Sequence, residues 1–386
     1  MIRKTAICTV AMVLAISLAL HTRGVPAFGA SATFTDINGH WAEAAINAAV
    51  EKGYVDGYID GTFLPNHQVT RAEFLKMLVS ALDITVSSTE GGSWYAPFLE
   101  AAESSGIYAN GDFGDTDWTK PMTREEMSIV AVRALGIRDV EEQQWMYLAT
   151  KNGIISGTGT GQLSPDGVTT RAQAITVIER ILSVKNGGQL PVDKYAVAAA
   201  EVYWHKTNIF TVAEEIFNGP DNNKNRGINS WKLSKLTVSS PDGSVVGVVD
   251  ELIAIDWNDP NDPNRKLLPN KDNLFRISNG KEVAFTDDLQ AYVILLNSHY
   301  IVNEKPILYP GNVLSLSIGP YNGYSTENQL INSQPIVSKD DNNVINALVI
   351  PKTGFSTSGY ITVHVETISA GAPVYKSILS DSVLNK

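Results

Sequence analysis

Apolar residues between positions 40 and 182 recur at helical spacing in three rounds, and each round turns on the same short motif. Aligned on Thr70-Arg71-Ala72-Glu73, Thr123-Arg124-Glu125-Glu126 and Thr170-Arg171-Ala172-Gln173, the chain has a glycine 18 positions before each arginine: Gly53, Gly106 and Gly153. Further glycines stand at Gly57 and Gly61 and at Gly157 and Gly161, with Asn110 and Gly114 in the middle round. Asn is the common substitute where the backbone needs positive φ, so what repeats is a backbone path. Each unit reads as helix, tight loop, helix. Trp41, Ala45, Ala48 and Ala49 make the first stripe; Pro97 precedes Phe98, Leu99 and Ala102; Trp145, Leu148 and Ala149 make a shorter third, and the three glycines terminate them. The second helix of each unit opens with a capping box, a Thr hydroxyl at one end and Glu73, Glu126 or Gln173 reaching back. Stripes such as Phe74, Leu75, Leu78 and Leu82 follow it, and three units packed together bury what one cannot.

After Leu182 the period changes. Residues 183–191 have the Gly, Asn and Pro content of a linker, set at 186–193. Beyond it, Val313, Ser315 and Ser317 alternate with Leu314, Leu316 and Ile318, and Tyr360, Thr362, His364 and Glu366 with Ile361, Val363 and Val365. Two-residue alternation predicts half-buried strands. Further strands are predicted within 231–238, 245–257, 290–296 and 344–350, while residues 195–217 are ambiguous, a helical connector being one reading of them. A β-rich, sandwich-like region over 194–386 is expected.

At the N-terminus, Arg3 and Lys4 precede an uncharged run over residues 5–20, and Ala27, Gly29, Ala30 and Ala32 follow. That order predicts a secretory signal peptide over 1–32, too short for a membrane span. Its loss would remove Arg3, Lys4 and Arg23 and take the formal charge from -11 to -14. Such an acidic chain has no basic stripe for nucleic acid or an anionic bilayer. Cys8 is the single cysteine and lies in that leader, so the mature chain is expected to use neither disulfides nor thiolate chemistry.

The first round, with Phe34-Thr35-Asp36, His40-Trp41-Ala42, Gly57-Tyr58-Ile59-Asp60-Gly61-Thr62-Phe63-Leu64-Pro65 and Thr70-Arg71-Ala72-Glu73, resembles the S-layer homology family. The resemblance covers residues 33–185, as repeats 33–84, 85–138 and 139–185. It implies an all-α, pseudo-threefold bundle, three helix-loop-helix repeats around a three-helix core, followed by the β-rich region. It also implies noncovalent attachment to the cell wall, through a secondary cell wall polysaccharide carrying pyruvate ketals and associated with peptidoglycan. The second repeat departs with Phe113 and Trp118 where the first has Asp60 and Pro65, and the third with Glu141 and Thr160 where the first has Trp41 and Asp60.

Arginine in the first turn of a helix opposes the macrodipole, so Arg71, Arg124 and Arg171 need a reason. Beside free helix N–H groups, a guanidinium makes a carboxylate site, and a pyruvate ketal displays a carboxylate on a sugar. Trp41 and Trp94 are candidate sugar platforms, and Asp60 and Gly57 complete the candidate polymer-binding set, with support of its own loop the bland reading of Asp60. The bland alternative is that each arginine pairs with an acid of the neighbouring repeat, such as Asp36 or Glu73, while the tryptophans pack in the core. His40 and His67 are read as surface or capping residues. The fullest set, Trp41, Asp60 and Arg71, is expected to bind best and Arg171 least.

The second half has no His-Glu-x-x-His, no Gly-x-Ser-x-Gly and no phosphate loop. The acidic run over 256–262 lacks the glycine and glutamate of a calcium loop and reads as a turn; Asp287-Asp288 and Asp340-Asp341 are adjacent acids, not a glycosidase pair. No cofactor or metal is expected. The expected function is a secreted, wall-attached surface protein displaying a noncatalytic module; an anchored polysaccharide-active enzyme and a surface-lattice subunit are the alternatives.

Overall fold

The computed structural model describes residues 34–87, 92–217, 227–278, 281–311, 313–319, 322–323, 334–338, 344–352, 355–356, 360–369 and 373–382. The expected signal peptide with Cys8, and the pair Asp340-Asp341, lie outside them.

The repeats begin with helices α1 (Glu43–Glu51) and α2 (Arg71–Ala81), then α3 (Ala96–Ser104) and α4 (Arg124–Ala134), then α5 (Gln144–Lys151) and α6 (Arg171–Lys185). Gly53, Gly106 and Gly153, at φ of 76°, 71° and 69°, each follow a first helix in the left-handed conformation that stops it. The stripe of α1 is Ala42, Ala45, Ile46 and Ala49; Trp41 falls just outside the helix and is 64% exposed, so the expected core stripe through it is displaced by one residue. All three capping boxes form. Thr70, Thr123 and Thr170 accept from the amides of Glu73, Glu126 and Gln173 at 3.2, 3.2 and 3.3 Å, and those side chains accept from the threonine amides in return.

Three helices follow: α7 (Lys194–His205), capped by Asp193, and the single turns α8 (Ile209–Val212) and α9 (Glu214–Phe217). The strands are β1 (Thr237–Ser239), β2 (Val245–Asp256), β3 (Leu274–Ser278), β4 (Lys281–Ala284), β5 (Ala291–Asn303), β6 (Leu314–Gly319), β7 (Asn322–Gly323), β8 (Gln334–Ser338), β9 (Val344–Pro351), β10 (Phe355–Ser356), β11 (Tyr360–Thr367) and β12 (Tyr375–Ser382). Seven form an antiparallel sheet in the order β1-β2-β5-β9-β8-β3-β4, three a second sheet, β12-β11-β6, and β10 pairs with β7. Leu314, Leu316, Val363 and Val365 of the smaller sheet share one cluster with Val245, Val249 and Tyr300 of the larger. Removal of apolar surface from water is the main force holding these faces together.

The expected fold class, an all-α bundle followed by a separate sandwich-like domain, is not what the chain adopts. The protein is mixed: helices persist past the repeats as α7 to α9, and the repeats are themselves joined by extended segments. Just before each capping threonine the backbone opens out and pairs across repeats, Gln68 with Thr170, Thr70 with Pro121 and Thr123 with Val168. One continuous apolar cluster runs from Phe34 through α7 to Leu379. Helical periodicity within a repeat cannot reveal that the face of α7 is shared, and this is where the expectation failed. Among the described residues no helix is long and apolar enough to cross a membrane.

Candidate functional site: three seams between the repeats

Each capping-box arginine reaches out of its own repeat into the next. Arg171 donates from Nε to the Phe63 carbonyl and from Nη2 to the Asp56 carbonyl, both at 3.0 Å, so the third repeat closes on the first. Arg124 makes the equivalent pair into the third repeat, to Leu163 at 3.1 Å and Ser156 at 2.7 Å. Arg71 does something different in the second repeat. It holds the Glu126 carboxylate through Nε and Nη2, and from Nη1 donates to Asp115 at 2.8 Å and to the Asp117 carbonyl at 3.0 Å.

The loops explain the difference. Leu64 and Ser164, seven positions before Arg71 and Arg171, take left-handed φ of 55° and 51°, and their loops offer carbonyls at matching positions. In the second repeat that place is Asp117, outside the left-handed region, and the acids Asp115 and Glu126 take over. Glu126 raises the basicity of Arg71 further, with Asp115 adding to it. Asp115 is held well below the usual carboxylate range, first by Lys120 at 2.6 Å and then by the Asp117 amide and Arg71. Burial lowers the basicity of Arg124.

The helix N-termini are not free, contrary to expectation. The amides of Arg71, Arg124 and Arg171 donate to Lys120, Gly167 and His67 carbonyls, and those of Ala72, Glu125 and Ala172 to Trp118, Pro165 and Pro65. These first-turn amides are therefore already engaged, and the donors the helix starts can offer an anion are the guanidinium nitrogens. Among the described residues Arg124 and Arg171 have no carboxylate within ion-pairing distance, and Nη1 of each has no protein acceptor and is not sealed from solvent. The seams thus differ in charge: the Arg71 seam is internally neutralised and the other two are not.

The structure also regroups the candidate residues. Gly57 and Asp60 belong with Arg171 and not with Arg71. A side chain at Gly57 would put its Cβ 2.0 Å from the Phe34 ring, so the glycine lets the loop close over that ring. Asp60 accepts from the Thr62 amide at 3.0 Å and hydroxyl at 2.7 Å, which hold its carboxyl below the usual range and brace the turn. Arg171 lies over the rings of Phe63 and Tyr58 at 4.5 and 5.1 Å, partners that sequence reasoning missed. Asp36 accepts from the Phe63 and Leu64 amides and Glu73 stays in its capping box, so neither meets an arginine; Glu126 and Asp115 are the acids that do. Trp41 and Trp94 occupy equivalent places and are 64% and 56% exposed, rather than packed in the core. At that place in the third repeat Glu141 accepts from the indole N–H of Trp204 on α7 at 3.3 Å. His40 accepts from the Ala42 amide through Nδ1, a capping contact.

The S-layer homology domain model matches residues 33–75 and 144–175. These two segments carry S-layer homology sequence. The matched segments lie in the first and third repeats, whose loops share the carbonyl geometry, and they flank the middle repeat with its different loop. Relatives include exoglucanase XynX of Acetivibrio thermocellus, 32% identical over 40% of this chain and 17% of its own length, and an S-layer protein of Bacillus anthracis, 28% identical over 40% and 22%. An uncharacterized cell wall amidase of Bacillus anthracis is 27% identical over 38% of this chain and 31% of its own length. The chain spans less than a third of the length of each. The S-layer homology match and the S-layer relative indicate a location at the cell surface or cell wall.

Proposed function

We propose that the S-layer homology repeats hold the chain noncovalently to an acidic secondary cell wall polysaccharide through carboxylates of its pyruvate ketals, and that the β-rich region is displayed without catalysis. The observation that carries the reading is the pair of arginines, Arg124 and Arg171, buried against backbone carbonyls with no carboxylate partner among the described residues. Carbonyl dipoles orient a guanidinium without cancelling its charge, so each keeps the capacity for a charge-assisted bond to an incoming carboxylate. The Arg171 seam is the more favourable, since Tyr58 and Ile59 on its loop remain exposed for the sugar body. This supports an order opposite to the one expected from sequence, with Arg171 ahead of Arg71. As support for the noncatalytic part, the acids gathered over 256–262 are engaged as turn and ion-pair partners: Asp256 with Lys352, Asp259 with Tyr195, and Asp262 with the Asp256 and Asn264 amides. Sedimentation of the full chain with purified walls, before and after mild acid removal of ketal pyruvate, tests the reading. Binding should be lost with the pyruvate; equal binding to both wall preparations would contradict it.

A further inference from the structure

A cleft of about 480 Å³ opens where the third repeat meets the β-rich region. One wall is the loop over 163–165, whose Leu163 carbonyl is an Arg124 acceptor, and the other is one face of α7 with the turn over 263–267 and strand β2. Tyr195, Ala198, Ala199, Val202, Tyr203 and Lys206 line it at the spacing of a single helix face.

Three features define what fits. Both tyrosine rings are half-buried and clamped at their far ends, because Tyr195 donates to Asp259 and Tyr203 donates to both oxygens of Glu125 at 3.1 Å. A clamped ring is a ready platform that loses little freedom when a ligand lies on it. Pro263 and the exposed Leu267 add apolar surface, and Lys206 and Glu251 bring one charge of each sign. Finally, the third repeat has Glu141 where the other two present an exposed tryptophan, and α7 supplies aromatic residues beside that repeat instead.

We propose that this cleft binds an uncharged sugar, a hexose or N-acetylhexosamine unit of a wall glycan. Such a ring has an apolar C–H face for the tyrosines and hydroxyls for Lys206, Glu251 and Asn264, and the cleft falls within the roughly 300–1,000 Å³ of ligand sites. The balanced charge disfavours an acidic unit. Neither Arg124 nor Arg171 lines the cleft, and wall sedimentation and trisaccharide binding test the two readings separately.

Full-length chain should show saturation transfer in NMR to chitotriose or cellotriose. Tyr195→Ala, which removes a platform, and Ala199→Leu, which fills the floor, should each weaken that binding at least tenfold, whereas Tyr203→Phe, which keeps its ring, should stay within threefold. Arg171→Ala, which targets wall sedimentation, should leave trisaccharide binding unchanged. No transfer from either trisaccharide to folded wild-type chain would overturn the proposal, as would wild-type affinity in both Tyr195→Ala and Ala199→Leu with melting temperatures unchanged.

Discussion

The Arg71 and Arg171 seams start from the same motif and end in opposite electrostatic states. Arg71 meets two carboxylates beside the Asp117 carbonyl and the Phe113 ring and is neutralised inside the fold; Arg171 meets two carbonyls and two aromatic rings and, among the described residues, no carboxylate. Identical residues at identical helix positions therefore do different work, and the difference comes from the partner loop. A seam that satisfies its own arginine acts as a staple, and one that orients it without neutralising it leaves the guanidinium able to pair with an incoming carboxylate.

Removing each arginine is the strongest way to break the comparison. Arg71→Ala leaves the buried Glu126 without its cation and should cost about 3 kcal/mol of stability, the scale for stripping one partner from a buried pair. A urea melt would show it, and an unchanged midpoint would remove the staple reading.

Two buried acids sharpen the same contrast. Glu126 has Arg71, whereas the fully buried Glu201 accepts from the Phe210 amide and the Thr211 hydroxyl and has no ion pair among the described residues; burial pushes its carboxyl up to about 8. Its stabilisation is complete below the unfolded value of 4.5 and is lost as pH rises toward 8, because only the unfolded chain gives up the proton in that interval. His205 opposes it lower down: burial takes this imidazole from 6.5 to about 4, so its contribution grows as pH rises through that range. Above pH 6.5 only the Glu201 effect of this pair remains, and stability should fall by about 2 kcal/mol between pH 6.5 and 8. Thermal melts across that range should show the fall, and Glu201→Gln should flatten it.

The capping boxes should give the smallest and most uniform effect. Thr70→Ala, Thr123→Ala and Thr170→Ala each remove one hydroxyl acceptor and should cost about 1 kcal/mol alike. A spread wider than that among the three melts would mean that the caps, and not only the loops, distinguish the seams.

The boxes, the terminating glycines and several strands were legible because local chemistry dictates them: a threonine with a glutamate three residues on, or two-residue alternation in β6 and β11. Most of the seam geometry was not. Backbone carbonyls such as Phe63 and Ser156 carry no side-chain signature, so their pairing with arginines of another repeat left no mark in the motif. Glu126 was visible only as a cap, although it serves Arg71 as well. Asp60 was grouped with the arginine nearest in sequence, whereas cyclic closure hands its loop to Arg171. The role of α7 was hidden because its partners, Glu125 and Glu141, lie more than sixty residues away.

In the proposed anchor the carbonyl-held arginines, and not the ion-paired one, receive the wall polymer. Wall-binding isotherms of Arg171→Ala and Arg71→Ala, taken where both remain folded, test it most directly. Arg171→Ala should lose affinity by about ten- to a hundredfold, the value of one charge-assisted bond, while Arg71→Ala stays within about threefold of wild type. Equal losses in the two variants, or the larger loss at Arg71, would contradict it.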